Sequence, residues 1–182
     1  MAAAPPDLLA FGQPFGTIAQ FAYAVEDIER EMLRYAEQLH VGPWFVRGPF
    51  EPPAGRYRGG PTRPTFTVAH AFAGHAMLEL IQQHDDSPSV FNEESGGGRY
   101  GFHHWGMLTR TFDDDVARYA AAGYEEAYFD RLPSGSRVIY LDATRDLPGM
   151  IELLEHTDGQ ERIYTEFYDA AVGWDGREPV RR

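Results

Sequence analysis

The chain has 182 residues, 43% of them hydrophobic and 24% charged, which is the composition of a folded globular protein. Its 28 acidic residues outnumber its 16 basic ones, and the net charge of −12 argues against binding to nucleic acid or lipid surfaces, which are polyanionic. Every basic residue is Arg, and the absence of Lys and Cys excludes Schiff-base and Walker-loop chemistry, thiolate nucleophiles and Cys-ligated metals.

The start of the chain resembles neither a targeting segment nor a membrane anchor. Residues up to Gly16 contain Pro and Asp but no basic residue and no long apolar run. A signal peptide needs a basic segment followed by an apolar one. No stretch of the sequence approaches the apolar length of a membrane span. We therefore expect a cytoplasmic protein.

The first predicted elements are a strand and an amphipathic helix. Residues 18–25 are typical of a buried strand, and Asp27 suits the N-cap of the helix that follows, because its carboxylate can accept amides of the first turn. Apolar residues recur at helical spacing from Ile28 to Leu39, which predicts one buried helix face. The helix is expected to stop before Gly42.

Three further strands complete the first half, near residues 44–46, 65–73 and 77–82. The segment 42–64 is rich in Pro and Gly, so a regular element is improbable there and we expect a long loop. Its Arg residues, on an otherwise acidic chain, fit either an anion-binding patch or a solvated loop. The candidate substrate-binding residues are Arg47, Arg56 and Arg58.

The second half repeats the first. Residues 102–109 align with residues 18–25 at an offset of 84, and Thr111 then falls where Asp27 stands. Strands near 124–129, 137–141 and 150–155 follow the second helix. The sequence therefore predicts an α+β fold of two paired βαβββ modules, with a C-terminal helix around residues 160–171.

We predict a single domain over residues 1–182. Module one spans about 16–84, a linker about 85–100, module two about 101–156, and the C-terminal helix and tail 157–182. The glycine-rich run 96–101 formally matches a dinucleotide-binding motif, but it precedes a strand instead of joining a strand to a helix. We therefore interpret it as linker.

Strand alternation selects the candidate site. Gln20 and His104 occupy equivalent positions on the first strand of each module, and Glu79 and Glu152 do so on the last strand; His103 is expected on the opposite, helix-facing side. A lone Glu on an apolar strand is costly to bury, so each either pairs with an Arg or binds a metal. Two carboxylates, an imidazole and an amide oxygen form a suitable ligand set for a divalent cation.

Four features resemble the vicinal oxygen chelate superfamily. They are the paired modules, the strand Ile18–Val25, the Gly101–His104 strand start, and the strands Leu78-Glu79-Leu80 and Ile151-Glu152-Leu153. The similarity is greatest to its methylmalonyl-CoA epimerase and glyoxalase I branch. This resemblance implies a cup-shaped, partly open β-barrel. It also implies one divalent metal ion (Co, Ni, Zn, Mn or Mg) held by Gln20, Glu79, His104 and Glu152, although many members have His where this chain has Gln20. A homodimer is a common variation on this fold.

Such a site would favour a metal-dependent isomerase or lyase that acts through an enolate on a small carbonyl or acyl-thioester substrate. Anionic substrates belong to this class. The candidate proton carriers are Glu152, Glu79 and His70, the last of which either lines the cup or merely fills it. Two alternatives stay open. One is a metal-free small-molecule binding or resistance protein, and the weaker one is an extradiol-type dioxygenase, which would have to recruit His70 as a second imidazole.

Overall fold

One mixed β-sheet organises the chain. The computed structural model describes residues 7–93 and 100–182. Residues 94–99 of the predicted linker, with all three of its glycines, lie outside the described residues. The strands are β1 Gln20–Ala24, β2 Trp44–Phe50, β3 Arg56–Tyr57, β4 Gly60–Pro61, β5 Phe66–Ala73, β6 Ala76–Gln83, β7 Gly101–Thr109, β8 Glu125–Arg131, β9 Arg137–Asp142, β10 Met150–Glu155 and β11 Val180–Arg181. The helices are α1 Ile28–Leu39, α2 Phe112–Ala121 and α3 Asp158–Ala171, and a 3₁₀ turn covers Val90–Asn92.

The strand order displays the predicted repeat. It runs β11-β2-β5-β6-β1-β7-β10-β9-β8-β3-β4, so the module order β2-β5-β6-β1 is mirrored by β7-β10-β9-β8. Within each module the first and last strands are parallel neighbours, β1 with β6 and β7 with β10, while β1 and β7 pair antiparallel at the centre. Because the outermost strands do not pair with each other, the sheet is open. The predicted α+β fold with two modules and a partly open sheet is confirmed.

The first two helices cover one face of the sheet. Asp27 caps α1 as expected, accepting the backbone N–H of Arg30 at 3.0 Å, and Ile28 and Met32 pack in a cluster with Trp44. Thr111 stands at the N-cap of α2, but its side chain makes no capping bond; its hydroxyl contacts the Asp115 carboxylate instead. None of the three helices in the described ranges is long and apolar enough to cross a membrane.

The C-terminal helix covers part of the opposite face. Phe167 of α3 stacks on Phe45 with ring centroids 4.2 Å apart, and Tyr164 is buried in the same cluster. The segment before β1 packs beside them, with Phe11 edge-on to Phe72 at 5.2 Å. The inner face of module one is therefore lined by aromatic side chains from three parts of the chain.

The segment 42–64 is more regular than predicted. It contains the whole of β2 and the short hairpin β3–β4, and β3 pairs antiparallel with β8 of the other module, Arg56 opposite Phe129. The strand expected near 44–46 is confirmed and extends to Phe50. The expectation of a long irregular loop is wrong for the rest of β2 and for the hairpin. Their backbone groups are paired because the hairpin lies along a sheet edge that would otherwise be open.

Arg137 on β9 ties the last strand of module two to the sheet. Its guanidinium donates to both carboxylate oxygens of Glu155, at 2.7 and 2.8 Å. This contact holds the pKa of the Glu155 carboxyl below its ordinary value of 4.5. The pair therefore stabilises the fold above that ordinary value, and the stabilisation is lost as pH falls through the lower pKa of the folded state.

We expect Glu155→Gln to lower the free energy of unfolding at pH 7 by about 0.5 kcal/mol, because both partners are partly exposed to solvent. The difference should shrink as pH falls through the lowered pKa of Glu155, because the wild-type carboxyl then also becomes protonated. Urea unfolding at several pH values measures this. Glu125→Gln is the control, since Glu125 is exposed and has no ion pair among the described residues; a loss that persists unchanged in acid would contradict the assignment.

Candidate functional site

The four predicted ligand residues come together at the centre of the sheet. The amide nitrogen of Gln20 donates to Glu79 Oε2 at 2.6 Å. His104 Nε2 lies 3.5 Å from the same oxygen and 3.4 Å from Glu152 Oε2. All four residues are buried, none more than 7% exposed. Two carboxylates and one imidazole nitrogen therefore share one small volume.

The strand register explains this convergence. Gln20 lies opposite Gly106 in the β1–β7 pair, and Glu152 lies opposite the same glycine in the β7–β10 pair. A Cβ atom on Gly106 would lie 2.7 Å from Glu152 Oε2 and 2.9 Å from the Cβ of Gln20. Both distances are too short for carbon contacts. Only a glycine at this position leaves room for the two side chains.

Each carboxylate is held from behind by the neighbouring strand. His70 lies opposite Glu79, and its Nε2 is 3.1 Å from Glu79 Oε1. Tyr140 lies opposite Glu152, and its hydroxyl donates to Glu152 Oε1 at 2.9 Å. Oε1 of each carboxylate thus contacts the neighbouring strand, β5 for Glu79 and β9 for Glu152, while Oε2 of each points towards His104 on β7. The two modules differ here, because module one uses an imidazole and module two a phenol.

Two phenols beside the carboxylates retain their protons. Burial, reinforced by the charges of Glu152 and Glu79, raises the pKa of Tyr140 and of Tyr164 well above the ordinary value. Both groups are therefore hydrogen-bond donors at neutral pH, and neither is a base.

His103 does not lie where alternation predicts it. The β1–β7 register shifts between Ala22 and Tyr23, which lie opposite His104 and Phe102, so His103 is the extra residue of a β-bulge. It is 8% exposed, and its Nδ1 lies 2.8 Å from Nδ1 of His104. Burial, with a smaller effect from His104, lowers the pKa of His103 to about 3. Strand periodicity contains no signal for this bulge.

A cavity of about 240 Å³ opens beside the carboxylates. Its walls are mainly aromatic and aliphatic, with Phe50, Phe66 and Phe91 among them, and its polar lining includes Glu79, Glu152 and His70. Two buried polar atoms of the lining residues, Nδ1 of His70 and the Tyr128 hydroxyl, have no hydrogen-bond partner in the described part of the chain. Unpartnered buried polar atoms are costly, so each of these two atoms lacks a partner that a folded protein normally supplies.

The three candidate substrate-binding Arg residues have different surroundings. Arg47 lines the cavity, packs over the Phe167 ring at 5.4 Å and forms no ion pair with any described residue. Arg56 makes a bidentate pair with Glu126, at 2.6 and 2.8 Å. Arg58 pairs with Glu93 at 2.7 Å and with Asp142 at 2.9 Å. The structure brings Arg47 to the cavity but not Arg56 or Arg58, whose charges are used to hold the hairpin in place.

Residues 19–140 match the family model of the Glyoxalase/Bleomycin resistance protein/Dioxygenase superfamily, also called the vicinal oxygen chelate superfamily. The chain belongs to this superfamily. The match covers both modules up to β9, so the recognition from sequence is confirmed. No curated protein matches the chain.

Solved structures of other proteins share the fold at low sequence identity. A hypothetical protein from Bacillus halodurans is 15% identical with a TM-score of 0.54, over 78% of this chain and 95% of its own. Methylmalonyl-CoA epimerase from Mycobacterium tuberculosis is 18% identical with a TM-score of 0.52, over 80% and 91%. A Streptomyces coelicolor methylmalonyl-CoA epimerase variant in complex with 2-nitronate-propionyl-CoA is 17% identical with a TM-score of 0.54, over 79% and 96%.

Vicinal oxygen chelate proteins commonly use a divalent metal, and the donor set here suits one. Two buried carboxylates have Oε2 atoms within 3.5 Å of the same imidazole nitrogen, and carboxylate and imidazole groups are common ligands of divalent cations. Gln20 and Glu79 are hydrogen-bonded directly to each other. Within residues 7–93 and 100–182, no three His, Asp or Glu side chains have the arrangement of a metal-ion site. A cation would have to open the Gln20–Glu79 hydrogen bond, and Gln20 would then present its amide oxygen.

We expect Gly106→Ala to destabilise the protein by about 1–3 kcal/mol, because the added methyl group would overlap Glu152 and Gln20. The shift of the urea midpoint measures this. Gly159→Ala in the first turn of α3 is the matched control, since its Cβ would meet no atom closer than 4.0 Å and Ala favours a helix over Gly. Equal stability of Gly106→Ala and wild type would refute the close packing described here.

Proposed function

We propose that this protein is a metal-dependent isomerase or lyase that acts through an enolate on a small carbonyl or acyl-thioester substrate, as an epimerase or a glyoxalase does. The observation that carries the proposal is the convergence of Glu79, Glu152 and His104 at the polar end of an otherwise apolar cavity. The fold shared with methylmalonyl-CoA epimerases supports it.

The residues that would hold the metal are Gln20, Glu79, His104 and Glu152. A divalent ion of the Co, Ni, Zn, Mn or Mg type would act there as a Lewis acid that stabilises negative charge on a substrate oxygen. His70 and Tyr140 would fix the orientation of the two carboxylates from behind. All these residues belong to one chain, so the site needs no second subunit, and the expected homodimer stays a prediction.

His70 is the proton carrier that we favour over the two carboxylates. Because an ionised carboxylate only accepts hydrogen bonds, the His70 nitrogen beside Glu79 carries a proton. The other nitrogen, Nδ1, is buried and has no partner among the described residues. After a rotation of the ring toward the cavity it would take the proton next to the substrate carbonyl, leaving the electron pair of the C–H bond in the enolate. The resulting imidazolium, stabilised by Glu79, would return the proton to the substrate. Glu79 and Glu152 would themselves be occupied as metal ligands.

Arg47 and Tyr128 are the proposed substrate contacts away from the reacting centre. Arg47 has no carboxylate partner among the described residues and can pair with an anionic substrate group, while the Tyr128 hydroxyl can donate to a substrate oxygen. The cavity, at about 240 Å³, is larger than the roughly 150 Å³ that holds benzene and smaller than the roughly 300–1,000 Å³ of pockets for drug-sized ligands. The part of the substrate that enters it is therefore compact.

A metal-free small-molecule binding protein is the second candidate. The direct Gln20–Glu79 hydrogen bond at 2.6 Å favours it, because this contact partly satisfies the carboxylate without any cation. The apolar walls of the cavity would suit sequestration equally well. An extradiol-type dioxygenase is less well supported, since His70 reaches Glu79 Oε1 and not the Oε2 atom that faces His104.

Metal analysis separates these candidates. We expect protein purified without a His-tag to bind Co²⁺ close to stoichiometrically in calorimetry, and Glu152→Ala to lose more than about 100-fold in affinity, beyond the usual effect of an outer-shell change. Glu125→Ala should bind as wild type does. Absence of metal binding in the wild type would exclude the enolate mechanism and leave sequestration as the leading function, whereas bound iron with oxygen consumption on catechols would support the dioxygenase.

We expect His70→Asn to slow proton exchange at the carbon next to the substrate carbonyl by about 10²–10⁴-fold. NMR in D₂O would follow this exchange on a panel of CoA thioesters and hemithioacetals. His84→Asn, which removes a different imidazole hydrogen-bonded to Thr67, should exchange at the wild-type rate. Unchanged exchange in His70→Asn, with metal affinity retained, would shift the role to Glu79 or Glu152.

A further inference from the structure

A chain of hydrogen bonds leads from the backbone to the proposed ligand His104. The carbonyl oxygen of Val90 lies 3.1 Å from Nε2 of His103, and Nδ1 of His103 lies 2.8 Å from Nδ1 of His104. Nε2 of His104 then faces the Oε2 atoms of Glu79 and Glu152. Both imidazoles are buried, His104 completely.

The positions of the protons follow from the chemistry of the acceptors. A carbonyl oxygen can only accept, so Nε2 of His103 is the donor to Val90. The contact between the two Nδ1 atoms needs one proton. If His103 supplied it, that ring would be a buried cation, and no carboxylate of the described residues contacts it. A buried unpaired charge is strongly disfavoured, so the proton belongs to Nδ1 of His104.

We propose that His103 is a positioning residue that accepts the Nδ1–H of His104 and thereby fixes Nε2 of that ring at the space between Glu79 and Glu152. The inference rests on the proposed function, since it assigns a purpose to that nitrogen. Because the two carboxylates only accept hydrogen bonds, Nε2 of His104 also carries a proton as long as no cation is bound, and a cation would replace that proton. A ring without a proton on Nδ1 would lose its bond to His103. Partners that fix the tautomer of a ligand imidazole in this way usually sit outside the ligand set and contribute to metal affinity.

Local sequence features build this arrangement. The β-bulge turns His103 to the same side of β7 as His104, and the 3₁₀ turn presents the carbonyl of Val90. Ser89 caps that turn by accepting the N–H of Phe91 at 3.0 Å, and its hydroxyl donates to Gln83 at the end of β6. The acceptor at the far end of the chain is therefore anchored to the strand that carries Glu79.

The first test uses the wild-type protein without added metal. In a ¹⁵N-labelled sample, long-range nitrogen–proton NMR spectra report which ring nitrogen of each histidine is protonated. We expect protonated Nδ1 in His104, protonated Nε2 in His103, and a scalar coupling between the two Nδ1 nitrogens across the hydrogen bond. A His104 ring protonated on Nε2 alone would overturn the proposal, and this result requires no variant to fold.

The second test compares two variants in the same spectra and in Co²⁺ calorimetry. His103→Leu removes both the donor and the acceptor, and we expect His104 to lose its Nδ1–H preference and Co²⁺ affinity to fall about 10- to 100-fold. His103→Gln keeps an acceptor and a donor and should retain more of both. Wild-type tautomer and affinity in a folded His103→Leu protein would overturn the proposal.

The two readouts keep this inference separate from the proposed function. Wild-type protein that shows the expected proton on Nδ1 of His104 but binds no Co²⁺ would contradict the metal-dependent mechanism while confirming the hydrogen-bond chain. Wild-type protein that binds Co²⁺ with His104 protonated on Nε2 alone before metal addition would support the mechanism and refute the role of His103. His40→Gln, at the exposed end of α1, serves as the assignment and stability control.

Discussion

The antiparallel pairing of β1 with β7 is the contact on which the rest of the structure depends. It is the only direct strand pairing between the two modules at the centre of the described sheet, and it sets the register of everything beside it. Ala22 and Gly106 are small enough to leave space along this seam. The parallel partners β6 and β10 then deliver Glu79 and Glu152 from its two sides, so a site with paired carboxylates is a direct outcome of joining two similar modules.

Burying two carboxylates at such a seam imposes demands on the residues around them. Each needs partners for both oxygens, and the surrounding strands supply an amide, two imidazoles and a phenol. The outer partners, His70 and Tyr140, occupy corresponding strands but have different chemistry. The raised pKa of Tyr140 keeps its phenol a donor, whereas an imidazole has two nitrogens and can donate at one and accept at the other. A symmetric scaffold thus carries a functional asymmetry, and the proposed chemistry depends on the difference between the halves as much as on their similarity.

The fold could be predicted because the repeat at an offset of 84 residues constrains two modules at once. Strand alternation then placed four side chains on one face of neighbouring strands: Gln20, Glu79, His104 and Glu152. Features that depend on contacts between modules were beyond it. Alternation cannot anticipate a bulge, which is why His103 was expected on the wrong side. Composition could not show that Arg56 and Arg58 have carboxylate partners far along the chain while Arg47 has none. No sequence signal distinguishes the phenols of Tyr128 and Tyr140 from other tyrosines on buried strands, because their hydroxyl environments arise only on folding.

The hairpin β3–β4 has a consequence for how the chain assembles. It belongs to module one but covers the outer edge of module two, joining Arg56 to Phe129 across a long separation in sequence. Such a contact forms late, because a large loop must close before the pairing contributes. The pairing of β3 with β8 also links the two modules. Exchange of one module between two chains would first have to break this pairing and re-form it in the other subunit. The hairpin therefore favours assembly of both modules within a single chain.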